Sequence, residues 1–405
     1  MDPLAVTPTR ADFSALRERM QWYVDQQLIP HCAWVVLRGT DVIEHGSVGT
    51  MGPGSQEPLR DDAIFRMYSD TKPVTTVAAL MLLEQGRFAL DDPIADLLPE
   101  FAAMTVLRAD ARSAHDVEPA RSPITVRQIL SHSAGLSYGF MEPDSIIDRS
   151  YMAAGLAPFG AAPRDLAQLC AGLARQPLAY QPGTDWRYSY ASDVTARLIE
   201  VASGQRFDEF LQARIFGPLG MVDTGFHVPE DRQHRFTTMA AAADIMAPMK
   251  PGLHVADLPR SGAFSQPKTL LSGGAGLVST VADHLGFVRA IINGGQWNGV
   301  RLLRPETLAM MHTNQLADGV GVRFPLWQMK GTVFGLGFAI LEQPGADDPV
   351  ASLGEYHWGG MAGTHTWFSP RTGLTGLCLT QRMPGFWHPF SREFRRMVYE
   401  LAGQA

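Results

Sequence analysis

The pairing in this chain best suited to nucleophilic chemistry lies in YSDTK (68–72), where Ser69 is followed three residues later by Lys72. A serine hydroxyl at its ordinary pKa is a poor nucleophile and needs a base within hydrogen-bond reach. Positions i and i+3 share a helix face, so the lysine amine can stand beside the hydroxyl. A helix amino terminus adds a field that favours a developing oxyanion. With 21 serines and four lysines in 405 residues, about 0.2 such spacings arise by chance. The spacing alone therefore also allows a helix-capping serine beside a surface lysine.

A second serine competes. Ser137 in GLSYG (135–139) fits the G-x-S-x-G pattern of a nucleophile elbow. That elbow needs a buried strand before the serine and a helix after it, because the strained turn lifts the serine above a sheet. Here ITVRQILSHSA reads as a short helix running into a loop, and FMEPDSIID does not read as an opening helix. Ser137 is expected to be a loop residue.

The elements that must position these residues follow from periodicity. Phe13, Leu16, Met20, Tyr23, Val24 and Leu28 recur at helical spacing. AWVVLRGTDVIEHGSVG predicts two strands joined around Gly39 and Asp41. After Ser69, Val74, Val77, Ala78, Met81 and Leu82 predict a helix that tolerates Pro73 in its first turn and stops near Gly86. From about 91 to 235 strand signals fade, and helical patterns with Pro/Gly loops take over. STVADHLGFVRAIINGG predicts a helix capped by Ser279 or Thr280. Extended runs follow in VFGLGFAILEQ, GTHTWFSP and LTGLCLTQ, then a last helix with Phe390, Phe394, Met397, Val398 and Leu401 on one face. The expected fold is α/β of the α+β type: an antiparallel sheet flanked by helices and formed from both chain ends (1–90 and 236–405), plus an inserted, mainly helical domain (91–235).

Composition narrows the class. The chain is 45% hydrophobic and 19% charged, ordinary for a globular protein. A formal charge of −7 provides no basic field for nucleic acid, so no nucleic-acid partner is expected. Cys32, Cys170 and Cys378 are odd in number and far apart, which reads as buried free thiols. The amino-terminal MDPLAVTPTRADF has no basic segment followed by an apolar run, and no stretch reaches membrane-span length. A cytoplasmic protein with no membrane partner is expected.

Four segments, in order, carry a family resemblance: ILSHSAGLSYGF (129–140), WRYSYASDVTARLIE (186–200), GGAGLVSTVADHLGF (273–287) and YHWGGMAGTHTWFSP (356–370). They resemble the serine β-lactamase-like superfamily, and within it the family VIII carboxylesterases, relatives of class C β-lactamases. The resemblance runs from about residue 20 to residue 385. It implies a β-lactamase/transpeptidase-like fold with Ser69 as nucleophile, Lys72 as its partner and Tyr188 as the catalytic tyrosine. Tyr190 competes for that last role, but the family pattern Tyr-Ser-x-Ala-x-Asp selects Tyr188. Asp193 fills the acidic position, either orienting the tyrosine's surroundings or serving the start of the following helix.

The same resemblance implies backbone N–H groups of Ser69 and Met361 as an oxyanion hole. Tyr138, Trp358, Gly359 and Gly360 would wall the substrate pocket, the glycines letting substrate approach the backbone closely. Tyr138 reads equally well as packing. β-Lactamases carry Lys-Thr-Gly where this chain has Trp358-Gly359-Gly360; Lys268-Thr269 is followed by Leu270, and Lys330 by Gly331. An indole cannot pair with a carboxylate, so the implied substrate is a neutral, short-acyl ester. Whether Lys72 or Tyr188 is the base stays open, since such groups titrate together. The segment 141–163 reads as either a pocket wall or packing.

No His-Glu-x-x-His or similar spacing occurs, His132 and His357 read as structural, and GGAG (273–276) lacks the rest of a phosphate loop, so neither metal nor cofactor is expected. The rival readings are a β-lactamase or D-alanyl peptidase, an acyltransferase of the lovastatin-synthesis type, and an inactive scaffold. The first lacks its Lys-Thr-Gly, and the last should have lost Ser69, Lys72 or Tyr188.

Overall fold

Strand β1 (His31–Arg38) shows how the centre of the molecule is organised. Its side chains alternate between two apolar clusters: Ala33, Val35 and Leu37 face one, while Cys32, Trp34 and Val36 face the other. Period-two alternation with both faces apolar means the sheet must be covered on both sides. This computed structural model describes residues 2–158, 164–325, 329–385 and 388–403.

The remaining strands of the sheet are β2 (Asp41–Gly49), β3 (Thr332–Phe334), β4 (Ala339–Leu341), β5 (Tyr356–Gly360), β6 (Thr364–Phe368) and β7 (Leu374–Leu379). Their order is β3-β4-β5-β6-β7-β1-β2, every pair antiparallel, so the sheet is assembled from both ends of the chain. The run VFGLGFAILEQ, read above as one extended stretch, is instead a hairpin: Phe334 pairs with Ala339, and residues 335–338 make the turn.

Helices α1 (Ser14–Asp25) and α7 (Phe390–Ala402) cover one face through Leu16, Met20, Tyr23, Phe394 and Val398. Against the other face lies α2 (Thr71–Glu84), buried all round from Thr71 to Leu82. A helix apolar on every side has to be enclosed. α3 (Val126–Leu130), α4 (Ile146–Ala153) and α5 (Ala191–Ser203) extend the same cluster, which runs without a break from the sheet to these helices. α6 (Val281–Ile292) is capped by Thr280, whose hydroxyl accepts the Asp283 N–H. Two short strands, Thr105–Leu107 and Val117–Pro119, pair in the region where strand signals had faded. Among the described residues no helix is long and apolar enough to cross a membrane.

Candidate active site

Ser69 sits in a single 3₁₀ turn, Tyr68–Asp70, that leads directly into α2. Tyr68 is held at φ 45°, a region side chains other than glycine seldom enter and one that clusters at functional sites. Three residues on, the Lys72 ammonium donates to the Ser69 hydroxyl at 3.2 Å, the Tyr138 phenol at 2.9 Å and the Gly274 carbonyl at 2.7 Å. It also lies 4.5 Å from the centre of the Tyr188 ring. Lys72 is buried, and desolvation lowers its pKa to about 7, with the Asp193 charge pulling the other way. Near neutrality a substantial share of this lysine is a free amine. That is what a base beside a serine requires.

Tyr188 stands between the nucleophile and the strand motif. Its phenol oxygen accepts the Trp358 indole N–H at 3.3 Å, and its ring packs on Trp358 at 5.2 Å and on His132 at 5.0 Å. Burial pushes the phenol strongly upward, only partly offset by its hydrogen bonds with Ser69 and Trp358. Tyr188 therefore stays protonated near neutrality. Tyr190, the competing tyrosine, is buried and donates to the Leu156 carbonyl, away from Ser69.

Gly274 closes the site from the third side. A Cβ there would fall 2.8 Å from both the Asp193 carboxylate and the Tyr138 phenol, and 3.3 Å from the Lys72 nitrogen. Only a glycine permits that approach. The strip 273–277 is laced onto the start of α2: Thr75 donates to the Gly273 carbonyl, Lys72 to that of Gly274, Leu277 to the Thr71 hydroxyl, and Met67 to the Leu277 carbonyl. Asp193, in the first turn of α5, accepts from the Ser272 hydroxyl at 2.5 Å and the Gly274 N–H at 3.4 Å. Its carboxyl is raised above the usual range by burial, against the pull of Ser272 and Lys72. Its side chain is thus spent on the Gly274 strip rather than on capping α5.

The Trp-Gly-Gly motif ends β5. The Met361 amide that follows donates to no acceptor among the described residues and so is free for an oxyanion. Gly359 and Gly360 each have a close neighbour within the protein. A Cβ on Gly360 would lie 2.2 Å from the Met67 carbonyl, and one on Gly359 would lie 2.6 Å from the His365 ring. Gly360 lets β5 press against the backbone leading to Ser69, and Gly359 lets it lie close to β6. Thr364 completes the Gly360 contact, accepting the Gly360 N–H at 3.1 Å and donating to the Met67 carbonyl at 3.0 Å. Asp70, also buried, faces Thr364 and is pushed up to about 8 by desolvation.

Ser137 is fully buried. Its hydroxyl donates to Asp148 and accepts from the Arg187 guanidinium at 2.8 Å, which leaves no room for a substrate. A helix does begin in the stretch after it, but at Ile146, too late to form an elbow. Tyr138, its neighbour, is placed on Lys72 rather than in an open wall. His132 is buried, with φ 58°, and carries the Tyr188 ring; His357 is half-buried beside Glu355. Among the described residues no group of three potential metal ligands gathers. Of the segment 141–163, Met141 lines the cleft described next and Ile147 and Tyr151 are core; residues 159–163 lie outside the described residues.

Beside Tyr188 opens a cleft of about 120 Å³ walled by Met141, Tyr180, Trp186, Arg323 and Phe324. A shallow depression of about 590 Å³ lies near Leu83, Phe88 and Met310. It is roughly 20 Å of helix away from Ser69 and plays no part in this chemistry.

The structure thus gathers a helix-start serine, a desolvated lysine, a half-buried tyrosine and a strand edge on a sheet-and-helix fold. The chain belongs to the β-lactamase family, whose pattern matches residues 14–397. It is 32% identical to Esterase EstB of Burkholderia gladioli, over 98% of each chain. It is 31% identical to the Lovastatin esterase of Penicillium rubens, over 82% of this chain and 79% of that one. Among solved structures it resembles EstCE1, a hydrolase with promiscuous acyltransferase activity: TM-score 0.79, 25% identity, 95% of this chain and 97% of that chain.

Proposed function

We propose that this protein is a serine carboxylesterase cleaving small, short-acyl esters through an acyl-enzyme on Ser69. The observation that carries the reading is the Lys72 amine held 3.2 Å from the Ser69 hydroxyl and tuned to about 7 by burial. The relatives named as esterases support the substrate class. The cleft beside Tyr188 has room for about four water-sized groups, which suits a short acyl or alcohol arm.

In this mechanism neutral Lys72 takes the Ser69 proton as the oxygen attacks the ester carbonyl. Charge on the carbonyl oxygen is met by the amides of Ser69 and Met361. As the C–O bond breaks, Tyr188 gives its proton to the leaving alkoxide, and the Lys72 ammonium restores the phenol. Water then attacks the acyl-enzyme, its proton passing back through the same pair, and Ser69 is regenerated. Trp358 steadies the tyrosine that does this work. An alcohol in place of water gives acyl transfer, the second reading, marked by faster turnover when alcohol is added. All three cysteines are free and buried, which suits a reducing compartment, so we place the protein in the cytoplasm.

The test is the initial rate of p-nitrophenyl butyrate hydrolysis by wild type, Ser69→Ala and Ser137→Ala. Loss in Ser69→Ala alone supports the reading; a wild type no faster than buffer overturns it.

A further inference from the structure

Lys268 is the one lysine near the nucleophile that has no role in the scheme above. Its ammonium rests 3.6 Å from the centre of the Phe264 ring. Among the described residues it makes no hydrogen bond and no ion pair. The ring beneath it packs edge-on against Tyr68, 5.8 Å between centroids, and Tyr68 is the residue before Ser69.

The chain around Lys268 is pinned on both sides of the nucleophile. Phe264 holds one end against Tyr68, within the small cluster of Ile64, Val228, Phe236 and Val278. Ser272 and Gly274 hold the other end against Asp193 and Lys72. Residues 264–274 thus bridge from one flank of Ser69 to the other, and Lys268 sits near mid-span. Asp257, the carboxylate whose charge reaches Lys268, is already engaged by Arg66 at 2.6 Å and by the Ala263 N–H at 2.8 Å. A partly desolvated ammonium without an anion is unfavourable, and a cation–π contact offsets only part of that. An anion arriving with the substrate would offset the rest.

We infer that Lys268 is a substrate-binding residue, and that the ester this enzyme takes carries a carboxylate received at the Phe264–Lys268 rim. This rests on the esterase reading and deepens it. Trp358 still excludes an acid group at the strand edge, so the charge enters on the bridging segment instead. Burial lowers the Lys268 pKa to about 8, with Arg66 pushing the same way and Asp257 opposing, and a bound carboxylate would hold the proton on.

The experiment compares p-nitrophenyl butyrate with two carboxylated probes, mono-p-nitrophenyl glutarate and 4-carboxyphenyl butyrate, in wild type, Lys268→Met and Lys268→Arg. A charge-assisted hydrogen bond predicts a KM at least about tenfold lower for one carboxylated probe than for the neutral ester. The preference should vanish in Lys268→Met and persist in Lys268→Arg. Ser69-dependent turnover of the neutral ester with no carboxylate preference in wild type overturns the inference and leaves the esterase standing. If no ester is turned over, titration of Ser69→Ala with monomethyl glutarate and methyl butyrate decides it. Tighter binding of the acid, lost in Lys268→Met, supports the site; equal binding overturns it.

Discussion

The indole N–H of Trp358 points at the phenol oxygen of Tyr188, 3.3 Å away and 170 residues distant in sequence. This contact ties the strand edge to the tyrosine proposed to protonate the leaving group. Trp358→Phe keeps the ring and removes one donor, worth about 0.5–1.5 kcal/mol. We expect kcat for butyrate ester hydrolysis to fall about 3- to 10-fold with KM little changed, in steady-state kinetics.

In the proposed mechanism Lys72 sets the pH profile. Its pKa is lowered to about 7, so only above that value is most of it the free amine that the proposed proton transfer from Ser69 needs. kcat/KM should rise as pH climbs through about 7. Asp193 opposes the lowering, so Asp193→Asn, which keeps an acceptor for Ser272 and Gly274, should move the midpoint down. Lys72→Arg supplies a cation that does not deprotonate, and activity should fall about 10²–10⁴-fold. A midpoint unmoved by Asp193→Asn would take Lys72 out of the base role.

Asp70 makes a stability prediction of opposite sign to that of an ordinary surface carboxylate. Burial lifts it from 3.8 to about 8, so the folded protein holds a proton that the unfolded chain releases above pH 3.8. Its unfavourable contribution grows as pH rises from about 4 to about 8. Asp70→Asn should raise Tm relative to wild type, with a gap near zero at pH 4 that widens to pH 8 in thermal melts.

Buried imidazoles act at the acid end. His31, His284 and His365 are each lowered to about 4 by desolvation, below their ordinary 6.5. Below about 6.5 the unfolded chain takes up protons that the folded protein refuses, so this stability is present above 6.5 and is lost as pH falls towards 4. Melting temperature should drop across that window, and His284→Gln, whose amide stands near the Nε2 position that meets Thr366, should flatten the drop.

The pairing of Ser69 with Lys72 was legible because it is local. Ser69 and Lys72 share a helix turn, and one turn of helix is all their meeting needs. α2 announced itself by apolar residues recurring at three and four, and β1 and β2 by two extended runs around a Gly39–Asp41 turn. Gly274 was not legible. GGAG reads as a failed phosphate loop until the strip is seen lying along α2, where a carbonyl rather than an amide receives Lys72. The approach of Met67 to Gly360 was not legible either, because a sequence does not show which backbone lies behind a strand. The hairpin at 332–341 was missed because apolar residues fill its turn as well as its strands.

Ser137 separates motif from mechanism. Its hydroxyl joins Asp148 to Arg187, and Arg187 also pairs with Glu142 at 2.7 Å, so the serine is the centre of a buried polar knot. The same loop carries Tyr138 to Lys72, so the knot positions the site without touching substrate. Ser137→Ala leaves a buried carboxylate and guanidinium one partner short, a loss of about 1–3 kcal/mol. We expect a lower Tm with kcat for butyrate ester hydrolysis within about twofold of wild type at 25 °C. A nucleophile would behave in the reverse way, losing turnover while keeping its melting temperature. If Ser137→Ala melts like wild type and is inactive, the GLSYG serine performs the chemistry and the assignment to Ser69 falls.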